Sequence, residues 1–230
     1  NLSTVYIRYF DIDWSYSYKS GIPVGELNGN KSANAYLKNK NIVPTIFITN
    51  RTFKNMDKNG VDTLAKKTAK KINQTTLQLE SWYLNTMVDY DSYDDDLERY
   101  EKDRKTEKAK FQTMISEIQI DCDWTASTRD KFFEFLESLK LEIGDKQLSC
   151  TTRLHQYRDR KLMGIPPVNR GLLMCYNVAD VQKYDTKNAI LDTKVVKQYL
   201  IDKAYPIKLD IGLPIFSWAA WYRGTEFKGI

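Results

Sequence analysis

Asp121 and Asp123 stand two residues apart in Glu117-Ile118-Gln119-Ile120-Asp121-Cys122-Asp123-Trp124-Thr125. At the end of an apolar run read as a strand, that spacing points both carboxylates to one face. Crowded carboxylates repel, and at least one is pushed upward in pKa, which suits it to proton transfer. The competing reading is that the two aspartates lead into the next helix and cap it. A second pair, Asp11 and Asp13 in Arg8-Tyr9-Phe10-Asp11-Ile12-Asp13, closes another apolar run. Solvated loop carboxylates are the plain alternative there.

Other polar and aromatic residues gather where apolar runs end. Leu173-Met174-Cys175-Tyr176-Asn177 finishes on a Tyr-Asn pair, and Arg153 and His155 follow a run of small polar residues, Gln147-Leu148-Ser149-Cys150-Thr151-Thr152. Trp14, Tyr16, Tyr18, Trp124, Trp218 and Trp221 come after other runs. The aromatic share is 13%, with 15 Tyr and 5 Trp. Such side chains pair an apolar face with a polar edge, which suits sugars and protein interfaces alike. Taken singly, each aromatic is more simply a residue packing a loop onto the rim of the fold. Their joint placement at one end favours a groove.

Several chemistries are excluded by composition. His155 is the only histidine, which rules out His-rich zinc sites and argues against a Ser-His-Asp triad. Cys122, Cys150 and Cys175 lack metal-type spacing and read as buried thiols inside strands. The net charge of +5 lies largely on helical stretches such as Lys66, Lys67, Lys70 and Lys71, offset by Asp94, Asp95 and Asp96. No basic stripe interleaves with aromatics, so nucleic acid is not the expected partner. Neither Gly-x-Gly-x-x-Gly nor a phosphate-binding Gly-Lys-Ser/Thr loop occurs, and no cofactor or metal is expected. No stretch is long enough to span a membrane.

Six apolar runs frame these residues: Thr4 to Ile12, Ile42 to Thr49, Ile115 to Cys122, Gln147 to Leu154, Gly171 to Tyr176 and Ile207 to Phe216. Helical spacing lies between them. Val61 to Leu84 carries Leu64, Ala65, Thr68, Ile72, Leu77 and Leu79, and Thr128 to Leu141 carries Phe132, Phe135, Leu136 and Leu139, with Ser127 or Thr128 as its N-cap. Thr193 to Ala204, with Val196, Leu200 and Ile201, makes a third helix. Gly21-Ile22-Pro23, Asn28-Gly29-Asn30, Asn59-Gly60 and Ile165-Pro166-Pro167 mark loops. Residues 89–110 are densely charged and read as a solvent-facing helical insertion. Strand and helix alternating in this way predict parallel βαβ units in one α/β domain spanning residues 1–230.

In order and spacing, these segments resemble the barrel of glycoside hydrolase family 18, the chitinase-like enzymes. The Asp121/Asp123 segment is similar to the family's Asp-x-x-Asp-x-Asp-x-Glu signature on strand four. Met174-Cys175-Tyr176-Asn177 is similar to its Met-x-Tyr-Asp motif on strand six, and Gly212-Leu213-Pro214-Ile215-Phe216 to Gly-x-Pro-x-Tyr on strand seven. The tail from Ile207 to Tyr222 also resembles Bacteroidetes hypothetical proteins with glycosidase-type barrels. The resemblance implies a (β/α)8 TIM-type barrel whose strands two to seven are the six runs. Strand one then precedes Asn1 and strand eight follows Ile230, the missing strands being supplied by the rest of the native chain. It implies a carbohydrate partner, bound at the C-terminal ends of the strands, and an extracytoplasmic or cell-envelope place.

On this register the first Asp of the signature falls on Ile118 and the catalytic Glu on Thr125, while Asn177 replaces the strand-six Asp. In the family that Glu protonates the leaving glycosidic oxygen, and a threonine hydroxyl has no proton to give at a useful pKa. Two readings follow. One is a hydrolase with relocated carboxylates, Asp123 as general acid with Asp121 or Asp11 as its partner. The other is a carbohydrate-binding or scaffold barrel without catalysis. Arg8, Trp124, Arg153, His155, Tyr176, Asn177 and Trp218 are the expected substrate-binding residues.

Overall fold

The structure, a computed structural model, describes residues 2–29, 31–200 and 204–230, and of residues 31–33 the backbone only. Asn30 of the Asn28-Gly29-Asn30 turn and Ile201 of the third expected helix lie outside the described residues. The chain forms two compact units, Asn1–Ser149 and Cys150–Ile230. Its strands are mostly parallel and its helices alternate with them, as an α/β fold requires.

In the first unit, β1 (Thr4–Ser15) pairs in parallel with β3 (Asn41–Ile48), and β3 with β4 (Glu117–Asp121). The edge strand β2 (Ser20–Val24) runs antiparallel to β1, with Trp14 opposite Gly21 and Ile12 opposite Pro23. This overturns the loop expected at Gly21-Ile22-Pro23. Proline lacks an N–H to donate, which an edge strand tolerates, so a loop-like dipeptide here ends up in the sheet. Gly21 is needed for a second reason. A Cβ there would lie 2.9 Å from the Thr52 methyl and 3.1 Å from Leu64, so the hairpin packs flush on what lies behind it.

The helices of this unit are α1 (Lys31–Tyr36), α2 (Asn50–Asn55), α3 (Val61–Met87), α4 (Leu97–Thr113) and α5 (Arg129–Glu142). Along α3, Leu64, Thr68, Ile72, Thr75, Leu79 and Tyr83 repeat at three- and four-residue steps and are buried. Leu77, expected in that stripe, falls between its rows and is 63% exposed. On α5 the four expected residues, Phe132, Phe135, Leu136 and Leu139, are fully buried. Thr128 does occupy the N-cap, but its hydroxyl bonds elsewhere and does not cap the helix. The charged stretch 89–110 covers a 3-10 turn at Tyr90–Tyr93 and most of α4, whose one buried residue is Phe111.

The core is an aromatic cluster between α2 and α5. Phe53 meets Phe132 and Phe135 edge to face at 5.4 and 5.6 Å, and Trp124 stacks on Phe132 at 5.2 Å. Ile42, Ile46, Ile48, Ile118 and Ile120 are almost fully buried on the same side of the strands. The opposite side carries Thr45, Phe47, Gln119 and Asp121.

β5 (Gln147–Arg153) crosses the division between the units. The second unit holds α6 (Leu154–Arg158), α7 (Arg160–Met163), β6 (Arg170–Met174), α8 (Thr193–Tyr199), β7 (Lys208–Gly212) and a small hairpin of β8 (Trp221–Arg223) and β9 (Glu226–Gly229). β6 and β7 pair in parallel over a core of Leu154, Tyr157, Leu173, Cys175 and Val196. The run expected to extend to Phe216 leaves the ladder at Gly212. Pro214 has no N–H to offer a neighbour, and Leu213 and Ile215 point into solvent. The β8–β9 hairpin has no counterpart among the expected strands; the Tyr222 hydroxyl donates to the carbonyl of Val181 and anchors it. All three cysteines are buried, and none is in a disulfide.

Phe132 joins Phe53 to Trp124 with no exposed surface, so Phe132→Ala should lower stability by about 3–5 kcal/mol. Urea unfolding followed by circular dichroism would read this as a lower midpoint at unchanged slope. A loss below about 1 kcal/mol would show that the cluster is not the core of this unit.

Candidate functional site

The expected acidic residues sit in the first unit, and a backbone irregularity arranges them. Residues three apart on a regular strand face opposite sides. Between Arg8 and Phe10 the register of β1 against β3 shifts by one, which makes Tyr9 a bulge. Tyr9 and Phe10 both turn into the core with no exposure, and Arg8 and Asp11 thereby share the polar face. The Tyr9 carbonyl, displaced from the ladder, accepts from the Leu27 N–H at 2.7 Å. Its phenol sits against α3 near the Thr76 hydroxyl at 3.4 Å, and burial pushes it up to about 12.

Arg8 donates from Nε and Nη2 to the two oxygens of Asp11, each at 2.6 Å, and lies 5.1 Å from the Phe47 ring centroid. Asp11, Phe47 and Asp121 are in register across β1, β3 and β4. The hydrogen bonds to Asp11 raise the Arg8 guanidinium above its usual value against some desolvation, and the Asp121 charge adds to the effect. Arg8 is therefore the cation beside two carboxylates on one face, anchored by Asp11 of its own strand.

Asp13, on the same face as Asp11, is held more fully. Both its oxygens accept from the Arg51 guanidinium, and Oδ1 also accepts from the Thr49 hydroxyl at 2.7 Å and the Trp14 N–H at 2.8 Å. Hydrogen bonding by Arg51, outweighing desolvation, holds this carboxyl well below the usual range. Both aspartates lie within β1, which runs on to Ser15, so they are strand residues and not solvated loop carboxylates. Arg51 and Thr49 were not among the expected site residues, although Thr49-Asn50-Arg51 directly follows a parallel strand's C-terminal end, where functional groups collect.

β4 ends at Asp121, and residues 122–125 continue without regular structure. Burial still alternates: Cys122 and Trp124 are buried, and Asp121 and Asp123 are half-exposed. Trp124 was expected to face a ligand. It is instead fully buried, stacked on Phe132 and 5.9 Å from Phe133, so neither ring face is open to a sugar. Ile118 belongs to the apolar side and is 1% exposed. Thr125 sits in a hydroxyl-rich turn. Its N–H donates to Thr128 Oγ1 at 3.0 Å, its own hydroxyl lies 3.0 Å from that of Ser127, and Thr128 Oγ1 is 2.6 Å from Asn50 Oδ1.

The second unit gathers four of the expected binding residues. Arg153, His155, Tyr176 and Asn177 line one small cleft of about 70 Å³ together with Leu154, Met174, Val178 and Tyr199. Arg153 closes β5, and the Tyr176-Asn177 pair lies just past β6. Asn177 has a φ of 54°, a left-handed conformation that asparagine accepts more readily than most residues. Its N–H donates to the Ile190 carbonyl at 2.7 Å, which fixes the turn beneath the cleft. Tyr176 meets Phe216 edge to face at 6.1 Å, and Phe216 lies 5.4 Å from Trp218, which is 37% exposed. These three rings make a half-exposed aromatic row.

Among the described residues, no group of three or more His, Cys, Asp and Glu side chains is placed to hold a metal ion, and no helix is long and apolar enough to cross a membrane.

No protein-family model matches the chain, and no curated protein matches it either. Three solved chains do. One is the crystal structure of the Bacillus cereus spore cortex-lytic enzyme SleL, at 14% identity and a TM-score of 0.43. The match covers 91% of this chain and 43% of that one, so the chain spans less than half of its length. A likeness this distant leaves the functional reading to the residues themselves.

Removing Arg51 tests the charge arrangement at Asp13. In Arg51→Ala the Asp13 carboxyl should return toward about 3.9, read by NMR titration of its side-chain carbon. The folded-state pKa is depressed, so wild type should be more stable than the variant above about pH 4. That advantage should fade as the pH falls through the lowered Asp13 value. An Asp13 titration unchanged by the substitution would refute the pairing.

Proposed function

We propose that the chain is a glycoside-hydrolase-like protein of the (β/α) barrel class that recognises carbohydrate without hydrolysing it. The observation that carries this reading is the cleft of the second unit. Arg153, His155, Tyr176 and Asn177, singled out in the sequence as binding residues, converge there. Guanidinium, imidazole and amide groups supply directional contacts to hydroxyls, and the row Tyr176, Phe216 and Trp218 offers apolar ring faces beside them. At about 70 Å³ the cleft is too small to enclose a sugar ring, so it takes the hydroxyl edge of one residue while the glycan lies along the aromatic row.

Catalysis asks for a carboxylic acid that can protonate a leaving oxygen and a second carboxylate to work with it. At the position that resembles the family's acid stands Thr125, among the hydroxyls of Ser127 and Thr128. Asp11 has both oxygens engaged by Arg8, and Asp13 both by Arg51. A second reading keeps hydrolysis, with Asp123 as acid and Asp121 or Asp11 as partner. It draws on the in-register placement of Asp11 and Asp121 along one face.

A glycan array probed with the purified chain should give saturable binding to a subset of carbohydrates. Tyr176→Ala and Trp218→Ala should each weaken it by about tenfold at unchanged thermal stability. Absence of binding to every glycan, or full affinity in both variants, would refute the reading.

A further inference from the structure

A second cavity, inside the first unit, remains outside everything described so far. It has a volume of about 290 Å³ and lies between the β1–β2 hairpin and the turn leading into α3. Its apolar part is Trp14, Met56 and Leu64, and its polar part is Lys19, Ser20, Asp57, Asn59 and Thr63. A cross-strand pair places two of its lining residues. Trp14 stands opposite Gly21, and residues opposite one another share a face. The half-buried indole lines the cavity together with Met56 and Leu64.

The polar groups around this space are uncommitted. Among the described residues, the side chains of Lys19, Asp57, Asn59 and Thr63 make no hydrogen bond or ion pair with the protein. Together they present an ammonium, a carboxylate, an amide and a hydroxyl over an indole and a thioether. That set matches a ligand with an apolar ring face and several hydroxyls at its edge, each able to donate and accept. It does not match a phosphate group, since the carboxylate of Asp57 offsets the one lysine of the lining. Nor does it match a purely apolar ligand, which would leave four polar groups to be desolvated without partners. A volume near 300 Å³ is at the lower end for small-molecule sites, which limits the occupant to about one sugar ring.

We propose that this cavity is a binding site for a single neutral hexose unit, with the ring on Trp14 and its hydroxyls on Asp57, Asn59, Thr63 and Lys19. It stands on residues of the first unit alone, so it holds or fails independently of the cleft at Tyr176.

The test is an amide NMR titration of the full chain with glucose, galactose, mannose and N-acetylglucosamine, each supplied as the free monosaccharide. At least one should give saturable shifts concentrated at Lys19, Gly21, Asn59, Gly60 and Thr63. The double variant Asp57→Ala/Asn59→Ala, altered only at exposed turn positions, should weaken that binding by about tenfold. Tyr176→Ala should leave it unchanged. Absence of saturable shifts at these residues for all four sugars would overturn the proposal, and so would shifts that survive the double variant at full affinity. Shifts that vanish in Tyr176→Ala would also overturn it, by tracing them to the other cleft.

Discussion

With one extra residue at Tyr9, β1 turns two consecutive aromatic side chains into the helix-covered core and still keeps its parallel register with β3. Everything on the other face of the first unit depends on that step. Without the bulge, Arg8 and Asp11 would lie on opposite sides of the sheet and their bidentate contact would be impossible. With it, Asp11, Phe47 and Asp121 form one row across three strands, and the Arg8 guanidinium lies over the Phe47 ring on the same face. The bulge is held in place by two contacts of Tyr9 itself, the Leu27 N–H on its carbonyl and the Thr76 hydroxyl at its phenol.

The same division of faces explains why Asp11 and Asp13 are each held by an arginine. A carboxylate facing a polar sheet surface needs compensation, and this chain provides it with arginines from β1 and α2. Arg51 in particular stabilises the ionised form of Asp13, which is the reverse of what a general acid requires. Electrostatics here favours fixed geometry over proton transfer. In the second unit the emphasis is different: the cleft groups imidazole, guanidinium and amide beside exposed rings, an arrangement suited to holding a ligand.

The six apolar runs were legible in the sequence because strands flanked by helices need near-continuous apolar character, and all six are strands. β2 was not, since Gly21 and Pro23 carry turn chemistry and become a strand through antiparallel pairing with β1, where a side chain at Gly21 would collide with Thr52 and Leu64. Arg153, His155, Tyr176 and Asn177, expected as binding residues from their place at strand ends, line one cleft. Trp124 was misread for a physical reason. An aromatic just after a strand can point to the rim or fold back onto the next helix, and the phenylalanines at 132 and 133 draw it inward. The bulge at Tyr9 was not read from the sequence, although Tyr9 and Phe10 set two aromatics side by side in an otherwise alternating run and so break its period there.

The account turns on whether a carbohydrate that binds is also cut. The most direct measurement is release of reducing ends from the tightest-binding glycan, followed over prolonged incubation with wild type and with Asp123→Asn. Binding with no release by either protein is the predicted result, since Thr125 supplies no acid and Arg8 and Arg51 hold Asp11 and Asp13. Release by wild type that disappears in Asp123→Asn would contradict the account and make the chain a hydrolase with a relocated acid.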